Sequence, residues 1–498
     1  MAKILFVSDH LANEGLGIMC LSSHLKAHGH AVELTLLADH PSLEAVVAHV
    51  AAARPDIVGF SMMTPQVPTF RPVARALKRE LGVPIAFGGP HCMYMADDVV
   101  RYDYVDWVCI GEGEDPLLEL MNRLDAGDPA TDVPGLWARA DRDWVRNETG
   151  RLDDDLDRYP FPDRELYYAR YPLLRDFAVK RVMSQRGCPY KCSYCFEPSL
   201  AELYEGKGKL VRRRSVGHIV AEIRAIVARY PTRCIHFSDD TFNLSRRWLN
   251  EFAEVYGREI DVPFTCNVTV QNLDEDLVRR LRDAGCRGMV CGLESGVERT
   301  RATVLDKPIP NDTYLAVSRM LRRHGIRFMT NIMFGLPHES LDDAIESIRF
   351  NRALRPLGTR VAILKPYKGT QLAKRAIADG LAEAEGEFTL QIRDTTGDLE
   401  DIKNMVWAGY LFVKVPFLIH LARRMLRMRR PGPLRHLVLL SNLQEVMLYR
   451  IPPWQALRFF WASRQVFLGG MGKDQAESEP AGSAPAWPAE EAATAGRP

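Results

Sequence analysis

The chain of 498 residues carries almost no net charge; its formal balance is +1. A protein held to nucleic acid by bulk electrostatics neutralises many phosphates with an excess of Lys and Arg, so no nucleic-acid partner is expected. The sequence also has no run of about 20 apolar residues, the length a membrane-spanning helix needs. Its most apolar stretch, 405–421, is interrupted by Lys414, Pro416 and His420. No G-x-G-x-x-G follows the first apolar run, because Cys20 stands where a third glycine would follow Gly15 and Gly17; this argues against a nicotinamide Rossmann site. No secretory leader is legible, since Met1-Ala2-Lys3 runs straight into a core strand, and a reducing cytoplasm is the expected setting. Of ten cysteines none follows Cys291, which leaves no second cysteine-bound cluster near the C-terminus. Cys109 and Cys291 sit inside apolar runs and read as small buried hydrophobes.

Three cysteines stand apart. Cys188, Cys192 and Cys195 follow one another at C-x3-C-x2-C spacing, with Tyr194 just before the last. Thiolates are soft ligands suited to iron–sulfur clusters, and a [4Fe–4S] cluster takes four of them. Three on one loop leave one iron open to a substrate or cofactor, which suggests a catalytic cluster. Structural zinc is the alternative, but it asks for four Cys/His ligands, and His218 and Cys234 are too far along the chain to complete a recognisable set.

Residues 1–127 alternate short strands and helices. Apolar strand candidates at 3–8, 31–37, 56–61, 84–87 and 107–110 are separated by helical patterns, among them 43–53, 67–81 and 115–124. Five strands with intervening helices predict a doubly wound, flavodoxin-like α/β domain. Ligands of such sheets lie beyond the carboxyl ends of the strands, where Ser61-Met62-Met63-Thr64, Gly88-Gly89-Pro90-His91 and Gly111-Glu112-Gly113-Glu114 fall. Residues 128–176 read as a polar connector. From 177 to 385 a second alternation of six strands and longer amphipathic helices predicts a partial (βα)6 TIM-type barrel, whose chemistry sits at the carboxyl ends of its strands. The cysteine loop follows its first strand, Asp239-Asp240 ends the second, Glu294-Ser295 the fourth and Gly335-Leu336-Pro337 the fifth. Residues 386–470 read as a mostly helical C-terminal domain. They either close the open side of the barrel or form an apolar lid, with basic residues through 430 able to meet anionic headgroups. Residues 471–498, rich in Ala, Pro, Glu and Gly, read as a disordered tail.

The cysteine triad with Tyr194, inside a six-unit βα array, resembles the radical S-adenosylmethionine (SAM) superfamily. The preceding domain, with Gly88-Gly89-Pro90-His91 and Gly111-Glu112-Gly113-Glu114, is similar to the cobalamin-binding domain fused to one large branch of it; Glu294, Lys307 and the Gly335–Glu339 stretch also resemble that branch. The resemblance implies a cobalamin-dependent radical SAM enzyme. Cys188, Cys192 and Cys195 would hold a [4Fe–4S] cluster, and Tyr194, Asp239, Asp240, Asn267, Glu294 and Ser295 would surround SAM. Ser61, Thr64, Gly88, Gly89, His91, Gly111, Glu112 and Gly113 would line the cobalamin site. The D-x-H-x-x-G motif of cobalamin-binding modules that ligate cobalt through histidine is not met, because Asp9 and His10 are adjacent and the downstream glycine is displaced to Gly15; no histidine is expected to ligate cobalt from that position. The implied activity is methylation of an unactivated carbon through methylcobalamin and a 5′-deoxyadenosyl radical. Relatives that close, contract or oxidise a ring without methyl transfer supply one alternative, and a non-catalytic cobalamin sensor or carrier a second. Expected partners are a small-molecule substrate (a lipid or tetrapyrrole), an external electron donor and, through 405–430, a membrane surface touched from the side. The chain is expected to act as a monomer.

Overall fold

Lys3–Ser8 (β1) is buried from Ile4 to Ser8, as a strand covered on both faces must be. In the computed structural model, which describes residues 1–9, 14–141, 143–384, 388–427, 444, 446–449 and 451–462, the chain divides into two compact units. One comprises Met1–Arg151, Tyr159–Arg175 and Arg458–Pro498, the other Leu152–Arg158 and Asp176–Leu457. Among the described residues no helix is long and apolar enough to cross a membrane.

In the first unit β1 lies between Ala31–Leu36 (β2) and Ile57–Ser61 (β3), with Ile85–Gly88 (β4) and Trp107–Cys109 (β5) continuing in the order β2-β1-β3-β4-β5, all parallel. This is the doubly wound order read from the sequence. Its direction of winding reverses between β1 and β3, where such sheets bind ligands. Helices fall where the periodicity put them: Leu43–Ala53, Val67–Leu81 and Glu114–Asp125. Phe70 of Val67–Leu81 packs 5.4 Å from Phe60 of β3, which in turn meets Phe87 of β4 at 5.3 Å. Burying each ring contributes about 1.5–3 kcal/mol, enough to fix that helix against the sheet. The supposed connector is not irregular throughout. Leu136–Ala140 (β6) and Asp143–Arg146 (β7) add two antiparallel strands to the edge of the sheet. Arg146 stacks over Trp137 and Arg139 over Trp144, so a half-exposed edge hairpin reads as polar and lacks the apolar run of a central parallel strand.

In the second unit Val179–Val182 (β8), Cys234–Phe237 (β9), Phe264–Val268 (β10), Cys286–Glu294 (β11), Arg327–Phe334 (β12) and Gly358–Ile363 (β13) pair parallel in chain order, forming a six-stranded half-barrel. Its helices start at caps legible in the sequence: Ser245 accepts from Trp248 N, Asp274 from Leu277 N and Ser340 from Asp343 N. Each such cap is worth about 1 kcal/mol. Phe237 and Phe264 face outward onto Phe252 and Tyr256 of the helix Arg246–Glu259. The concave floor is filled from the C-terminal segment: Val179, Cys234, Val290 and Met329 form one cluster with Leu448, Tyr449 and Ile451. Helix Met405–Lys414 buries Trp407, Ala408 and Phe412, and its Gly409 meets Val361 of β13. The apolar helix thus packs on the outer face of β13, against Ile348 as well as Val361, and leaves Phe417 (65% exposed) and Leu421 (46%) at the surface. The tail from 471 lies outside the described residues.

Candidate active site

The cysteine loop begins where only glycine fits. Gly187 has φ +80, and a Cβ there would lie 2.3 Å from the Leu210 carbonyl oxygen. The loop is then stapled on several sides. Cys188 N donates to Glu197 Oε2 at 2.8 Å, and Cys195 N to Cys192 O at 3.0 Å. Ser193 donates from N to Leu305 O and from Oγ to Val304 O, and its carbonyl accepts from Leu372 N. The three cysteines are half-buried and outside any disulfide. Burial pushes their thiols up, that of Cys195 to about 12. They become thiolate ligands when cationic iron supplies the charge, as metal-binding cysteines do. Among the described residues no group of three Cys, His, Asp or Glu is set to hold a single metal ion; a cluster asks instead for one thiolate per iron. The donor set and the rigid loop fit a [4Fe–4S] centre with one open iron.

Around this loop the half-barrel gathers some of the SAM candidates and diverts others. Glu294, at a bulge in β11, has φ +66, a strained value for a residue with a side chain. It is 7% exposed and pairs with Lys307, whose Nζ also donates to Gly292 O at 2.7 Å. Burial works against the lysine's charge, yet Glu294, Tyr314 and Cys192 together hold it above the usual lysine range. Tyr194 lies beside Glu294; burial, and then the charge of Glu294, pushes its phenol up. Asp240 is exposed and close enough to Cys188 and Cys195 to raise both thiols. Asn267 Nδ2 donates to Asp239 O at 3.1 Å.

Asp239 differs from its neighbour. At 1% exposure its carboxylate accepts from Ser184 N, Ser184 Oγ and Gln185 N at 2.7, 2.7 and 2.8 Å. It fastens the stretch that leads into the cysteine loop. Ser295 is likewise buried, its Oγ 3.3 Å from Ser347 Oγ and its carbonyl accepting from Arg301 Nη1 at 2.6 Å. Three residues had no assigned role in the sequence reading. Glu197 closes the loop onto Cys188, Lys307 anchors Glu294, and fully buried Arg301 organises the segment after β11 through Ser295 and Ile309. Only Lys307 had a signal, its place in the family's segments.

In the first unit the candidate cobalamin residues meet at the carboxyl ends of β3, β4 and β5. Met62 N donates to Gly88 O and His91 N to Met62 O, which draws Ser61, Gly88 and His91 together. Gly89, with φ +88, leaves no room for a side chain, since a Cβ would sit 2.7 Å from Met62 N and 2.9 Å from Ser61 Oγ. His91 is 1% exposed, and its Nδ1 lies 3.2 Å from Thr64 Oγ1; burial lowers its pKa to about 4. It lies beneath the loops and supports Thr64. Gly111 has φ +94, Glu112 is half-buried, and Gly113 abuts Cys109 and Leu21. Hydroxyls and tight glycine turns at the carboxyl ends of neighbouring parallel strands fit a corrinoid tail and its phosphate. His10 lies outside the described residues.

Known proteins share this organisation. The model of the B12 binding domain matches residues 3–121, and that of the Radical SAM superfamily residues 182–350. An uncharacterized methyltransferase of Pyrococcus horikoshii is 26% identical over 370 residues, covering 74% of this chain and 79% of its own. The anaerobic magnesium-protoporphyrin IX monomethyl ester cyclase of Rubrivivax gelatinosus is 24% identical over 367 residues, with 71% of this chain and 64% of that protein covered. Among solved structures, the radical S-adenosylmethionine methyltransferase TsrM from Kitasatospora setae matches with a TM-score of 0.65 at 21% identity, over 78% of each chain. At that identity the likeness shows the fold.

Proposed function

The chain belongs to the cobalamin-dependent radical SAM enzymes, and from that premise we propose that it methylates an unactivated carbon of a small molecule. Its cofactors are a [4Fe–4S] cluster, SAM and cobalamin. Bound together, they supply a methyl group and a hydrogen-abstracting radical; each methyl transferred consumes two SAM and two electrons and releases S-adenosylhomocysteine, methionine and 5′-deoxyadenosine. The observation that carries the reading is the rigid three-thiol loop beside the buried Glu294–Lys307 pair, on a chain that also matches the B12 binding domain.

The protein's task is to hold, orient and dry the site. Cys188, Cys192 and Cys195 hold the cluster. Glu294, paired with Lys307, accepts from ribose hydroxyls, while Asp240 and Asn267 face the amino acid end of SAM. Tyr194 packs against the cofactor. Asp239 and Ser295 are positioning residues that act through the loops they fasten. Ser61, Thr64, Gly88, Gly89 and Gly111–Gly113 with Glu112 receive the corrinoid tail, and His91 supports them through Thr64. The electrons come from an external donor. The similarity to a magnesium-protoporphyrin cyclase favours an apolar or tetrapyrrole substrate, and Phe417 and Leu421, next to Arg423 and Arg424, offer the surface for peripheral membrane contact of a cytoplasmic monomer.

The same cyclase supports a second reading, ring formation without methyl transfer. Anaerobic incubation of reconstituted enzyme with methyl-deuterated SAM and fractionated cell extract separates the two. A small molecule that gains the deuterated methyl supports the proposal; 5′-deoxyadenosine formed with no labelled product overturns it.

A further inference from the structure

The turn after β9 brings a hydroxyl to the cysteine loop. Thr241 is 6% exposed, and its Oγ1 lies 3.7 Å from Cys188 Sγ. Among the described residues this hydroxyl makes no other hydrogen bond. A buried hydroxyl costs free energy unless it is paired, and here its partner is the sulfur of a cluster ligand. Between a thiol and a hydroxyl either atom can donate. Once Cys188 has given up its proton to bind iron, only the hydroxyl has one to give.

The turn is held from both sides. Gln185 Nε2 donates to Thr241 O at 3.3 Å and to Gly187 O at 3.0 Å, so one amide links the threonine to the glycine that opens the cysteine loop. Gln185 Oε1 accepts from Arg213 Nε at 3.1 Å, and Arg213 Nη2 donates to Phe242 O at 2.8 Å. The guanidinium of Arg213 lies over Trp248, 4.3 Å from the ring centroid. On the far side Phe242 N donates to Asn267 O at 2.8 Å. Threonine is also stiff at χ1. Backbone and side chain together keep the hydroxyl aimed at Cys188.

Hydrogen bonds to the sulfurs are one of the levers that set a cluster's reduction potential. One electron from an external donor takes a [4Fe–4S] core from the 2+ to the 1+ state and leaves more negative charge on its thiolates. A donor aimed at one thiolate therefore favours the reduced form over the oxidised one. We propose that Thr241 is a positioning residue for the radical-generating centre: its hydroxyl donates to the Cys188 thiolate and raises the reduction potential of the cluster, easing the one-electron step that precedes SAM cleavage. The inference rests on the reading of Cys188, Cys192 and Cys195 as cluster ligands. It goes beyond that reading by assigning a residue that sets the potential.

Reductive titration of the reconstituted holoprotein without SAM, with Ti(III) citrate as reductant and the reduced cluster followed by EPR, reads the midpoint potential. Thr241→Val keeps the shape and removes the donor. It should weaken the hold on the electron ~3- to 10-fold, a fall of about 30–60 mV for one electron, with iron content as in wild type. Thr241→Ser, which keeps the hydroxyl, should recover most of that fall, and Thr241→Ala should repeat it. The Tyr190 N–H also bears on Cys188, but as backbone it is the same in every variant, so the differences belong to the hydroxyl. A wild-type potential in both the Val and Ala variants, or a Ser variant as low as Val, overturns the proposal. So does loss of most of the iron from both Val and Ala, since Thr241 then only builds the loop. A wild-type protein that holds no iron overturns the cluster reading as well, whereas a full cluster with an unmoved potential overturns this inference alone. If the potential falls as expected in a protein that never methylates, the role of Thr241 stands and the methylation reading falls.

Discussion

Lys307 Nζ lies 3.2 Å from Glu294 Oε1, in a pair whose side chains are only 14% and 9% exposed. Removing one partner of a buried pair leaves the other charge uncompensated, at a cost of about 3–5 kcal/mol. Lys307→Met should therefore lower the unfolding free energy by about that amount. The double variant with Glu294→Gln should recover much of the loss, as denaturant unfolding of the apo chain will read. SAM affinity should fall in both of these and in Glu294→Gln alone. Additive losses would mean that the two side chains do not act as a pair.

Gly292 guards the same pair. A Cβ there would sit 2.2 Å from Glu294 Oε1 and 2.7 Å from Lys307 Nζ. Gly292→Ala should weaken SAM binding ~10-fold, about 1.4 kcal/mol, while iron content stays at the wild-type level. Equilibrium binding and iron analysis check both halves; unchanged SAM affinity would show that Glu294 does not face the cofactor.

Adjacent aspartates should behave as opposites. Asp239→Asn removes the charge that strengthens the two backbone bonds to Oδ1 and replaces Oδ2, which accepts from Ser184 Oγ, with an amide N–H that forces this hydroxyl to reverse its role. It should cost about 2 kcal/mol and lower iron incorporation. Asp240→Asn, on an exposed side chain, should leave stability unchanged and raise the SAM dissociation constant. Thermal melts, iron analysis and SAM titration of the two variants decide it, and identical behaviour would contradict the separation of roles.

That separation marks where sequence reading stops. The central strands and the helix caps were legible because each is a local pattern: an apolar run such as Lys3–Ser8, or Ser245 and Asp274 just ahead of an amphipathic helix. The cysteine triad was legible for the same reason. Asp239 and Asp240, by contrast, are chemically identical in sequence, and only the strand pairing of β8 with β9 turns one into the loop. Lys307 and Arg301 act across turns whose closure has no local signature. The hairpin β6–β7 escaped because its edge position lets charged residues alternate with its tryptophans.

Glu339 gives the second unit a dependence on pH. One carboxylate oxygen accepts from Gly335 N and Leu336 N, while burial, outweighing those two bonds, lifts its pKa from 4.5 to about 8. The native state thus holds this proton more tightly than the unfolded chain. Its contribution to stability is full below about pH 4.5 and is lost as the pH rises through about 8. A tenfold difference in proton affinity between the two states is worth about 1.4 kcal/mol, so urea midpoints should fall measurably over that window. In Glu339→Gln the fall should flatten; a profile that keeps its slope would assign it to other groups.

The most direct test of the account is product stoichiometry. Reconstituted holoenzyme, an electron donor and SAM are incubated anaerobically with the substrate fraction, and S-adenosylhomocysteine and 5′-deoxyadenosine are counted together. Methylation of an unactivated carbon predicts that the two accumulate in equal amounts, matched by methylated product. 5′-Deoxyadenosine accumulating without S-adenosylhomocysteine would contradict it.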